Sequence, residues 1–157
     1  MYSDEEKKVI IEKWLREEGF QVSEAPDSGS TFNFSVDAGG IRLHVIQNPD
    51  QQDKILIISG VDIPLEIENK LSSMSLERKR AFLWSLRFGL LQLRVSSSPV
   101  ALPLKLKVVN AAYYDGLNKN LFMERLLDVH RAIVCINWNI ERALGEPGPV
   151  PDLSYIG

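Results

Sequence analysis

The chain has 157 residues, of which 45% are hydrophobic and 25% charged, and its net charge is −3. That is enough for one domain with a proper core and too little for two. The composition excludes a disordered chain, and the weak net charge argues for no particular class of partner. A single cysteine, Cys135, excludes an internal disulfide and a cysteine-based metal site, so a reducing cytoplasm is the expected compartment. No stretch approaches the roughly 18 uncharged apolar residues of a membrane span. The charged run that starts at Asp4 does not suit a signal peptide.

Charge is unevenly spread. Residues 1–70 carry 7 basic and 14 acidic side chains, whereas residues 71–107 carry 7 basic and 1 acidic. The basic band of Arg78, Lys79, Arg80, Arg87, Arg94, Lys105 and Lys107 reads first as a solvated face that pairs with the acidic half.

Ser3-Asp-Glu-Glu6 forms a capping box that opens a helix with Val9, Ile10, Trp14 and Leu15 on one side and Lys7, Glu12, Lys13, Arg16 and Glu17 on the other. Gly19 stops it, Phe20-Gln-Val-Ser is extended, and Pro26–Gly29 is loop. Phe32, Phe34 and Val36 then alternate with polar residues, as do Ile41, Leu43 and Val45 after the Gly39-Gly40 turn. Lys54–Ser59 is apolar at consecutive positions and reads as the most interior strand. A short helix is expected over Leu65–Leu71, and a longer one from the Ser75 cap to Leu91. The second would bury Leu76, Leu83, Leu86 and Leu90, with Trp84, Phe88 and Leu91 on the flank. Pro103 lacks an amide to donate, so 99–114 is expected to form a hairpin of Pro99–Leu102 and Lys105–Tyr114.

The stretch Leu117 to Leu144 is the most informative. Phe122, Leu126, Val129, Ile133, Ile136, Ile140 and Leu144 step by three or four, and Met123, Leu127, His130, Val134 and Trp138 form a second row beside them. Glu124, Arg125, Asp128, Arg131, Asn139 and Arg142 are left for water. The apolar arc is wider than one sheet face needs, so it predicts a helix central to the domain and shared with a second subunit. Asn118 or Asp115 is the candidate N-cap, and Gly145 followed by Pro147 ends the helix. Residues 146–157 hold three prolines and form an arm that Val150, Leu153, Tyr155 and Ile156 would dock on a surface.

The expected fold is therefore α+β. A meander of three to four antiparallel strands and a C-terminal hairpin pack against an N-terminal, a middle and a long C-terminal helix. Residues 1–145 form one domain, and 146–157 an extended arm. The order of elements resembles the type III secretion chaperone-like fold, known in secretion chaperones and in cytoplasmic proteins of the YbjN type. Locally, VVNAAYYDGLNKNLFMERLLDVHRAIVCINWNI, from Val108 to Ile140, is similar to an archaeal and bacterial family of conserved proteins of unknown function. In that family a strand ending in Tyr and Asp-Gly-Leu leads into the final helix. The resemblance implies a homodimer that binds another polypeptide without catalysis, and it supplies no catalytic residue.

Catalytic spacings are lacking: there is no phosphate-binding glycine loop, nucleophile elbow or His-Glu-x-x-His. His44 falls outward on a strand, and His130 reads as a packed core histidine. Cys135 reads as a small buried hydrophobe. Asp62, Glu66 and Glu68 could share a face, but capping and solvation account for them. No catalytic, cofactor or metal residue is assigned, and no cofactor is expected. The partner-binding candidates are Phe122, Leu126, Ile133, Trp138, Val150, Leu153, Tyr155 and Ile156. A second reading is a small-ligand binder or enzyme using His44 or His130 in a pocket between sheet and helices. Nucleic-acid binding through the basic band is weaker, because Trp84 and Phe88 fall on the stripe that their helix should bury.

Overall fold

The computed structural model describes residues 2–25, 29–150, 153 and 156. Its elements are α1 (Asp4–Glu17), β1 (Gln21–Glu24), β2 (Phe32–Ala38), β3 (Ile41–Gln47), β4 (Lys54–Gly60), α2 (Leu65–Ser72), α3 (Leu76–Leu91), β5 (Ser96–Ser97), β6 (Lys107–Tyr113) and α4 (Lys119–Leu144). The α+β class holds. Among the described residues an antiparallel sheet of six strands, ordered β1-β2-β3-β4-β6-β5, curls into a half-barrel, and α4 is the longest of four helices.

The helix ends follow from local chemistry. Ser3 Oγ accepts from the Glu6 amide while Glu6 Oε2 accepts from the Ser3 amide, which completes the capping box of α1. Ser75 and Asn118 cap α3 and α4 in the same way, by accepting from Arg78 and Leu121. Gly145, at φ 68°, closes α4 in the left-handed conformation that a side chain would disfavour. At α2, Pro64 takes the N-cap position and no side chain caps the helix, so Asp62 does not serve as its cap.

Alternation decides what each strand contributes. Phe34, Val36, Leu43, Val45, Ile55, Ile57 and Val108 face α4 and are fully buried. Their neighbours His44, Ile46, Leu56, Ile58, Val109 and Ala111 lie half-buried on the opposite face. The consecutive apolar residues of β4 therefore mark the middle of the sheet, between β3 and β6, with one face covered and one open. Pairing of Ile46 with Leu56 and of Leu56 with Ala111 runs an apolar row across that open face.

Three expectations need correction. The hairpin strand before β6 is Ser96–Ser97, not Pro99–Leu102, and residues 98–106 form a loop. Pro99 and Pro103 can donate no ladder bond, whereas Ser98 both donates to Lys105 O and accepts from the Lys107 amide to close the loop. In α1, Lys7 is buried and Val9 is exposed, because the helix packs through Lys7, Ile11, Trp14 and Leu15. Lys7 Nζ is accommodated by donating to Gln52 O at 2.9 Å and by lying 4.4 Å from the Tyr114 ring. In α3 the buried residues are Phe82, Leu86 and Leu90, while Leu76, Trp84, Phe88 and Leu91 face outward.

Leu126→Ala should destabilise the protein by about 2–5 kcal/mol, since Leu126 is fully buried between sheet and helices. Leu91→Ala should change stability by no more than about 0.5 kcal/mol. Urea unfolding of both variants followed by circular dichroism checks the contrast.

Candidate functional site

Of the candidates on α4, Phe122, Leu126 and Ile133 are buried in the chain's own core. They cannot meet a partner in this fold, because the half-barrel wraps the face they share. Trp138 alone among them remains accessible, at 54% exposed. Val150, Leu153 and Ile156 are half-buried against the core, and Tyr155 lies outside the described residues. Asp128, expected in water, is buried and pairs with Arg94 at 3.5 Å and Arg131 at 3.9 Å.

Between α3 and α4 runs a groove of about 440 Å³ lined by Gly89, Gln92, Leu93, Arg131, Val134, Cys135, Trp138, Asn139 and Arg142. Its floor depends on Gly89, where a Cβ would lie 2.6 Å from Cys135 Sγ. At one end Ser85 Oγ donates to Asn139 Oδ1 at 2.8 Å, and Arg142 donates to both Ser85 and Asn139. Asn139 Nδ2 in turn donates to Cys135 O at 2.8 Å and Cys135 Sγ at 3.4 Å. Burial pushes the Cys135 thiol above its ordinary pKa, against the smaller opposing effects of Asn139 and Arg142. A protonated, half-buried thiol is a poor nucleophile, so the groove offers shape and amide chemistry.

The outer face of α3, adjoining this groove, carries the apolar surface. Trp84, Phe88 and Leu91 are 54%, 57% and 79% exposed and follow one another at helical spacing. The Trp84 and Phe88 rings stack with centroids 5.6 Å apart, and the Arg87 guanidinium sits 5.0 Å over the Trp84 ring. The aromatics thus share their face with the basic band, contrary to the expectation that the helix would bury them. Weak amphipathicity is the reason. Apolar residues occupy both sides of α3, so periodicity alone does not choose between Phe82-Leu86-Leu90 and Trp84-Phe88-Leu91.

A second cavity of about 560 Å³ lies where β4, α2 and the 98–106 loop meet, lined by residues that include Asp62, Glu68, Lys105 and Lys107. Glu68 Oε2 accepts from the Leu104 amide there, whereas Glu66 turns to Lys70 at 3.3 Å, so the three carboxylates do not converge. Neither histidine lines either cavity: His130 is fully buried in α4, and His44 stands on the open sheet face. Among the described residues no cluster of His, Cys, Asp and Glu could hold a metal ion, and no helix is long and apolar enough to cross a membrane.

Residues 8–140 match the model of a family described as "Uncharacterized conserved protein (DUF2299)". The chain belongs to this family. A crystal structure of an uncharacterized protein from Methanothermobacter thermautotrophicus is similar, with 28% identity and a TM-score of 0.79, over 88% of this chain and 99% of that one. No curated protein matches the chain. The family model takes in the sheet, α3 and most of α4, including the groove apart from Arg142, and stops before the arm. Sequence reasoning missed Asn137 and Glu141, which hold that arm. An amide inside an apolar row of a long helix is the signal that points to them.

Gly89→Ala should destabilise by about 1–3 kcal/mol through overpacking against Cys135. In a Cys135→Ala background the same change should become neutral or stabilising by up to about 1 kcal/mol, because alanine is the better helix former. A double-mutant cycle in urea measures this. The Cys135 thiol should also react more slowly with iodoacetamide at pH 7.5 than in the unfolded chain. Because its folded pKa is raised, it stabilises the fold below the ordinary thiol range, and that contribution fades as pH rises through the folded value.

Proposed function

We propose that the protein is a homodimeric polypeptide-binding module of the chaperone-like or adaptor kind, working in the cytoplasm without catalysis. The observation that carries the reading is the exposed Trp84-Phe88-Leu91 stripe on α3. Aromatic anchors fixed on a rigid helix and flanked by arginine have the composition of an interface centre. The stripe suits a second copy of the chain. Two α3 helices packed antiparallel about a two-fold axis between Trp84 and Phe88 would set each Trp84 against Phe88 of the partner subunit. The same register places Leu91 over Ala81 of the partner subunit, so large residues meet a small one. The α3–α4 groove beside the stripe would then open along the dimer edge, where an extended or helical segment of another polypeptide can lie.

The stripe fits single-stranded nucleic acid less well. Trp84 and Phe88 stack on each other and Arg87 covers a Trp84 face, so fewer ring faces are left on which successive bases could stack.

Light scattering after size exclusion should give twice the 17.7 kDa of one chain at micromolar concentration. Phe88→Glu should yield a monomer with unchanged far-ultraviolet circular dichroism, since Phe88 makes no part of the core. A wild-type protein that elutes as a 17.7 kDa monomer would remove the dimer from this reading.

A further inference from the structure

We propose that the face of α4 over Asn137 is a binding site for a polypeptide segment running antiparallel to the helix, with glycine two residues ahead of an apolar residue. The chain's own residues 146–150 occupy it as an intramolecular competitor.

The site is built from buried polar groups. Asn137 is 1% exposed, its Nδ2 donates to Glu141 Oε1 at 3.2 Å, and its Oδ1 accepts from the Val150 amide at 2.9 Å. Glu141 Oε1 also accepts from the Gly148 amide at 3.0 Å. Two backbone amides two residues apart are thus read by two side chains one helical turn apart. The spacings agree: two residues of extended chain cover up to about 7 Å, and a helical turn rises about 5.4 Å. Amides are common to every peptide, so these contacts fix direction and register. Selectivity comes from Gly148, where a Cβ would lie 2.4 Å from Asn137 Oδ1 and 2.9 Å from Asn137 O. Two residues on, Val150 rests half-buried against the core.

Asn137 lies within the family-matched residues 8–140, whereas Glu141 and the arm lie beyond them. With the arm in place both ends of the Asn137 amide are paired, and lifting the arm takes the Val150 partner from Oδ1, which leaves an acceptor that the amide of another segment can meet. The arm reaches it through a short link, closed by Gly145 at the end of α4 and held by Glu146, whose carboxylate lies 2.7 Å from Lys70 Nζ on α2. A tethered segment competes at high effective concentration, so a segment in trans meets a site that is mostly occupied.

The test uses the full chain and a fluorescein-labelled peptide of residues 146–157. The double variant Gly148→Ala, Val150→Pro loses the tight approach to Asn137 and the amide that Asn137 accepts, and should release the arm. Hydrogen exchange should show lost protection at the position 148 amide, and fluorescence anisotropy should show the peptide binding at least about tenfold more tightly than to the wild-type chain. Adding Asn137→Ala to that variant should abolish the binding, and a peptide carrying Gly148→Ala should not bind. A released arm with no peptide binding would overturn the proposal. So would an arm that stays protected in the double variant, because the named contacts would then not hold it. The result does not depend on the α3 stripe: a monomeric protein would give the same titration.

Discussion

The apolar arc of α4 is too wide for one surface to cover, and the arrangement of the other elements follows from that excess. The half-barrel takes Phe122, Leu126, Val129, Ile133, Ile136 and Ile140, all essentially without exposure. The next sector, around Ala132 and Cys135, goes to α3, whose Gly89 lets the two helices approach. A third sector, marked by Asn137 and Glu141, is met by the chain after Gly145. Burying a large aliphatic side chain contributes about 1.5–3 kcal/mol, so leaving a sector bare would be a large share of a domain's net stability.

Buried polar groups stand where elements change direction. Gln47, at the end of β3, is fully buried; it donates to Asn48 O and Gln51 O and accepts from the Tyr114 hydroxyl at 2.5 Å. One amide thereby ties the β3–β4 turn to the segment between β6 and α4. Burial raises the Tyr114 phenol well above its ordinary pKa, so the hydroxyl stays a donor throughout the neutral range. Asp128 does similar work on α4 by drawing Arg94, just past α3, and Arg131 onto one carboxylate.

Much of this was legible in the sequence where the deciding physics is local. Ser3, Ser75, Asn118 and Gly145 terminate their helices by bonds or backbone angles within four residues, and alternation in β2 and β3 marked their core faces directly. The candidate site was less legible because it depends on which of two apolar stripes finds a partner. In the sequence Phe122, Leu126 and Ile133 form part of a row that looks surplus to one sheet face, but surplus can be judged only once the curl of the sheet is known. Trp84 and Phe88 erred in the opposite sense: a row that looked internal lies outside because Phe82, Leu86 and Leu90 already fill the contact with α4. Val150 could be placed on a surface from composition. Its anchor, Asn137, required knowing that the chain turns back after Gly145.

The sheet ends abruptly on both sides. On one side, β1 has four residues, of which Gln21, Ser23 and Glu24 are exposed, and Glu24 is engaged by Lys8 of α1 at 2.7 Å. On the other, β5 has two residues and gives way to a proline-containing loop. Strands this short and polar offer a poor template for another chain's backbone. Lateral growth of the sheet, the route by which many β-rich proteins polymerise, is therefore closed at both margins. Contacts with other molecules fall to the broad faces, where side chains and not ladder bonds set the terms.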